Sequence, residues 1–168
     1  MIKNKKQKSE YRKKIVAVSG GFDPVHIGHV RMFKEAKKLG DWLVVILNND
    51  HWLKKKKGFV FMPQHERKEL IEALEVVDQV VLTGHAAGAT DMSVVRELKK
   101  IKPHIFANGG DRVHDNIPEV AVCTAIGCEM VFNVGSGGKV QSSSWLLTNF
   151  AEAHQSGKGS REPAKKKK

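Results

Sequence analysis

Five short runs rich in valine and isoleucine recur along this 168-residue chain, and they limit its fold more than any other feature. They are 15–19 (IVAVS), 42–48 (WLVVILN), 78–83 (DQVVLT), 104–108 (HIFAN) and 129–134 (EMVFNV). Most show no polar alternation, so they suit strands covered on both faces, as in a parallel sheet. Helix-patterned stretches separate them, at 28–39, 63–75, 91–101, 117–126 and 143–153. Val30, Phe33, Ala36 and Lys37 share one side of the first, and Leu70, Ile71 and Leu74 repeat along the second. Pro63 suits a first helical turn, Asp91 is an N-cap candidate, and Gly40 and Pro103 follow helix ends. The lysines at 54–57 read as part of a loop. Strands alternating with helices imply right-handed crossovers, and hence an α/β fold with a doubly wound, parallel, five-stranded sheet. Ligands of such sheets bind past the carboxyl ends of the strands, where strand order reverses.

Charge is distributed unevenly. The formal net charge is +11, but residues 1–14 carry seven Lys/Arg against one Glu, and 151–168 carry six against two. The remainder holds 16 basic and 15 acidic residues. The expected organisation is a basic flexible arm (1–14), one domain (15–154) and a basic flexible tail (155–168). Aromatic content is 7% and no RNA-binding motif appears, so a nucleic-acid partner is not expected. No run reaches the roughly 18–20 apolar residues of a membrane span, and the N-terminus lacks a signal-peptide apolar region. A cytoplasmic protein is expected. Cys123 and Cys128 lie in an apolar segment at a spacing unlike zinc motifs, and read as core residues.

The stretch GGFDPVHIGHVRMF, at 20–33, follows the first strand run. Gly20 and Gly21 permit close ligand approach or positive φ. The helix that follows offers free N–H groups and partial positive charge, which suit phosphate. The pattern is neither G-x-G-x-x-G nor a P-loop. His26 and His29, three apart with Gly28 between them, can share one helix face and hold the oxygens of a reacting phosphate. A metal would need a third ligand; Asp23 is near.

GGFDPVHIGH resembles the G-x-F-D-x-x-H-x-G-H signature of the cytidylyltransferase-like nucleotidyltransferases, over roughly residues 14–150. Glycerol-3-phosphate cytidylyltransferases, heptose-phosphate adenylyltransferases and FAD synthetases belong to that family. The resemblance implies a Rossmann-like sheet, ATP or CTP as nucleotide, Mg²⁺ with the triphosphate, a small phosphorylated acceptor and pyrophosphate as product. It also allows a homodimer. It implies catalytic roles for His26, His29 and a lysine of the run 54–57, with Lys56 the match when counted without gaps from His26 and any of the four able to serve. It also implies nucleotide contacts from Gly20, Gly21, Phe22, Asp23, Gly28 and Lys55. Asn108, Gly109 and Asp111, in FANGGD, match a stretch that contacts the nucleotide. Ser142, Ser143 and Ser144 match a serine-rich segment near the triphosphate. Arg67 and Arg112 are implied to contact the acceptor or its phosphate. The chain carries GSGGKVQSSS where cytidylyltransferases carry R-T-E-G-I-S-T, which favours ATP and a sugar phosphate over CTP and glycerol phosphate. A CTP-dependent enzyme and a non-catalytic nucleotide sensor on the same fold are the alternatives.

Overall fold

The computed structural model describes residues 13–109, 118–135 and 143–155. In chain order the elements are β1 (Ile15–Gly20), α1 (Ile27–Lys37), β2 (Trp42–Leu47), α2 (Asp50–Lys57), α3 (Gln64–Glu72) and β3 (Gln79–Leu82). Then come α4 (Val95–Ile101), β4 (Ile105–Gly109), α5 (Glu119–Ile126), β5 (Glu129–Val134) and α6 (Ser143–Gln155). The five strands form one sheet in the order β3-β2-β1-β4-β5, all neighbours parallel. Strand order therefore reverses between β1 and β4.

Period-two burial in the strands builds a core on each face, because successive side chains point to opposite sides of the sheet. Val16, Val18, Leu43, Val45, Leu47, Ile105 and Ala107 pack with Phe33 and Ala36 of α1 and Ile71 of α3. Ala17, Ile46 and Phe106 face the other way, against Val94, Leu98, Val122 and the two cysteines. Both cysteines are unpaired, and burial raises their thiol pKa values, that of Cys128 to about 12. The expected doubly wound, Rossmann-like architecture is the observed one.

Three local expectations differ. The lysine run is helical, not a loop: Asn49 caps α2 through Trp52 N–H, and Gly58 closes it at φ 83°. Asp91 caps no helix; its carboxylate accepts from Ser93 N–H, and α4 begins at Val95. Leu70 faces outward, leaving Ile71 as the buried apolar residue of α3 beside the buried Arg67. Among the described residues no helix is long and apolar enough to cross a membrane.

Candidate active site

The loop from Gly21 to His26 leaves β1 at the carboxyl edge of the sheet and delivers the chain to the N-terminus of α1. His26 is the N-cap of that helix. Its Nδ1 accepts the Gly28 N–H at 3.1 Å, and its own N–H donates to Nδ1 of His29 at 3.3 Å. This reciprocal pairing is the logic of a capping box, with two imidazoles in place of hydroxyl and carboxylate. The rings stack, centroids 3.7 Å apart and planes 26° off parallel. Because each Nδ1 is an acceptor, each neutral ring carries its proton on Nε2. The result is a pair of imidazole N–H donors beside a helix N-terminus.

Electrostatics keep both rings neutral. Burial, then the neighbouring His26, then Lys57 push the His29 pKa down to about 3. Burial and Lys57 lower that of His26. Lys57 is half-buried, its Nζ donating to the carbonyl of Asp23 at 3.0 Å. Burial lowers its pKa, Asp23 opposes the shift and Arg67 adds to it. Neutral donors and one cation thus converge on the same loop, an arrangement that binds an oxyanion without giving it a proton.

The loop is held from two directions. Asp23 is fully buried, and its carboxylate accepts from Phe61 N–H at 2.8 Å and Met62 N–H at 2.7 Å. Arg67 is also fully buried. Its Nη1 donates to the carbonyls of Gly21 and Asn48 at 2.5 and 2.8 Å, its Nε to Met62 O at 2.9 Å, and its Nη2 to Asp50 Oδ1 at 2.7 Å. These bonds tie the ends of β1 and β2, the start of α2 and the α2–α3 loop into one block. Ser143, at the start of α6, donates its hydroxyl to Pro24 O at 3.1 Å.

Several expected site residues therefore serve other ends. Arg67 cannot face an acceptor phosphate, because four of its five N–H bonds already go to protein oxygens. Both carboxylate oxygens of Asp23 are engaged by backbone amides, so it is not poised for a nucleotide or a metal. Phe22 is core: it takes φ +48°, packs edge-on against His29 and Phe33, and is 5% exposed. Neither Gly20 nor Gly21 has positive φ. They are small to admit protein, since an added Cβ would lie 2.7 Å from the Phe22 ring or 2.8 Å from Leu53. Lys56 is exposed, and Lys55 reaches away to the Ala89 carbonyl. Of the four lysines at 54–57, Lys57 is the one that faces the histidines.

At the end of β4, Asn108 is buried with its amide donating to Phe106 O, and Gly109 is closed on one side by Met32. Asp111, Arg112 and Ser142 lie outside the described residues, as does the side chain of Ser144. The structure thus brings His26, His29, Gly28 and Ser143 to one loop, and of the lysine cluster it brings Lys57. Two signals for Lys57 were present in the sequence: Asn49 as an N-cap and Gly58 just past the helix end, eight residues of helix apart.

Comparison with known proteins agrees with this fold. The family model described as cytidylyltransferase-like matches residues 17–130. The FAD synthase of Ferroglobus placidus is 41% identical over 103 residues, covering 61% of this chain and 62% of that protein. The match thus spans somewhat less than two thirds of that relative's length. The bifunctional protein HldE of Pelobacter propionicus is 33% identical over 146 residues, covering 83% of this chain and 27% of that protein. Among solved structures, the lipopolysaccharide core biosynthesis protein from Thermoplasma volcanium superposes with a TM-score of 0.59 at 28% identity, covering 73% of this chain and 97% of that one.

Proposed function

The chain belongs to the cytidylyltransferase-like family, and from that premise we propose that it is a cytoplasmic enzyme transferring the adenylyl group of ATP to a phosphorylated acceptor. The stacked pair of neutral imidazoles at the head of α1 is the observation that carries the reading. The similarity to FAD synthases and to HldE supports ATP over CTP.

In this reading an oxygen of the acceptor phosphate attacks the α-phosphorus. The bond from that phosphorus to the bridging oxygen breaks, and pyrophosphate leaves with the electron pair. The acceptor oxygen is already anionic at neutral pH, so no general base is needed. Positioning and charge stabilisation supply the rate. The Nε2 N–H groups of His26 and His29 donate to oxygens of the reacting phosphate, and Gly28 keeps the helix end open between them. Lys57 neutralises charge that builds toward the leaving group. The α6 N-terminus, tied to Pro24 through Ser143, approaches the phosphates from the other side.

Mg²⁺ fits this site as a companion of the triphosphate. The described residues contain no group of three or more potential metal ligands, and Asp23 has no free oxygen. Phosphate oxygens and water would hold the ion, as is usual for Mg²⁺ with nucleotides. Bound there, it would offset the negative charge of the triphosphate.

The test is pyrophosphate release from ATP and from CTP, each with flavin mononucleotide, sugar phosphates or glycerol phosphate. Acceptor-dependent release from ATP is expected. Nucleotide binding without release under any pairing points instead to a sensor on this fold.

A further inference from the structure

The α2–α3 loop has the sequence GFVFMP, residues 58–63, without one strongly hydrogen-bonding side chain. It lies against the site: Phe61 and Met62 donate their N–H groups to Asp23, and Lys57, which precedes the loop, reaches the Asp23 carbonyl. Yet the loop leaves Phe59 46% and Phe61 54% exposed, and Ile27, next to His26, is 47% exposed. The Asp23 carboxylate fixes the backbone at Phe61 and Met62, so the Phe61 ring is held out from the core.

This apolar rim stands on the β2 side of the histidines. On the other side strand order reverses toward β4 and the head of α6 arrives, and such a switch point is where open α/β sheets take nucleotides. The acceptor is left with the rim. A sugar presents hydroxyls that GFVFMP cannot answer, whereas a flat conjugated ring gains by stacking on phenyl faces. We infer that Phe59, Phe61 and Ile27 form a platform for the ring system of an aromatic phosphorylated acceptor, of the class of flavin mononucleotide, and select it over sugar phosphates. The inference rests on the adenylyl-transfer reading for the position of the acceptor phosphate.

Two measurements test it separately from that reading. The first is quenching of flavin mononucleotide fluorescence on titration with the protein, with and without α,β-methylene-ATP. The parent and Phe61→Trp should quench; Phe59→Ser and Phe61→Ser should lose most of the effect. The second is steady-state pyrophosphate release. The flavin KM should rise about tenfold or more in each serine variant, the range expected for one lost aromatic stack, while the KM for ATP stays within twofold. Higher kcat/KM for a sugar phosphate than for the flavin overturns the inference. So do unchanged flavin KM values, or a shift in the ATP KM instead, which would seat adenine on the platform. If no acceptor gives pyrophosphate, adenylyl transfer fails as a reading, and the quenching series still decides whether the platform takes a flavin.

Discussion

Arg67 offers the sharpest separation between a ligand-binding group and a structural one. Replacing it with Met removes a fully buried guanidinium that donates four hydrogen bonds. Three backbone carbonyls and the Asp50 carboxylate would lose their partner. An orphaned buried acceptor costs about 1–3 kcal/mol, and breaking a buried charged pair costs about 3–5 kcal/mol. These terms overlap, and water entering the space left by the shortened side chain recovers part of the first. The expected loss is thus about 3–5 kcal/mol, a large part of the stability of an ordinary domain. Arg67→Lys should recover only a fraction, because an ammonium has three donors and no planar fork. Adding Asp50→Asn to Arg67→Met should return some stability by removing the unpaired charge. Urea denaturation with a check of the m-value measures all three, and the thermal midpoint of Arg67→Met should fall by roughly 6–20 °C. The reasoning is refuted if Arg67→Met unfolds within about 1 kcal/mol of the parent while its KM for substrate rises steeply. That pattern belongs to an arginine that binds phosphate.

His29→Ala should lower turnover by about two orders of magnitude or more in the pyrophosphate assay, by analogy with lost oxyanion donors, while far-UV circular dichroism stays native. Lys57→Met should depress turnover strongly and Lys56→Met should not; by removing a nearby cation, Lys57→Met should also raise the His26 pKa, read from its ring proton shifts in NMR. Gly20→Ala would place a Cβ 2.7 Å from the Phe22 ring and should cost about 1–3 kcal/mol in urea unfolding. The depressed His29 pKa has a defined sign: below about pH 6.5 the unfolded chain binds a proton that the folded chain refuses, so stability falls with pH toward 3. Between pH 7.5 and 5 this contributes about 1–2 kcal/mol, and His29→Asn should show a correspondingly shallower acid slope.

The sheet was legible because its signal is local and doubled. Runs such as WLVVIL are apolar throughout because both faces are covered, and the observed strand limits fall within about one residue of the apolar runs. The histidine pair was legible because capping geometry depends on neighbours three residues apart. What could not be read was long-range. Arg67 lies 46 residues from Gly21, and Asp23 lies 38 from Phe61. Nothing in a linear pattern says that a guanidinium will spend its donors on carbonyls from three other segments. The glycines misled for a related reason: Gly20 and Gly21 are small because Phe22 and Leu53 fold back over them. The lysine run misled through its charge, since a solvated loop and a capped, half-exposed helix have the same composition.

The stitching of Asp23 and Arg67 has a kinetic meaning. Segments that are separate in sequence are bonded into a single block, so the cradle proposed for phosphate is cast when the chain folds and not when a ligand arrives. A substrate entering it has little backbone to order, and its binding energy remains available for the reacting phosphates. For the same reason, loosening the Asp23 and Arg67 bonds would disturb the crossover from β1 and the start of α3 together.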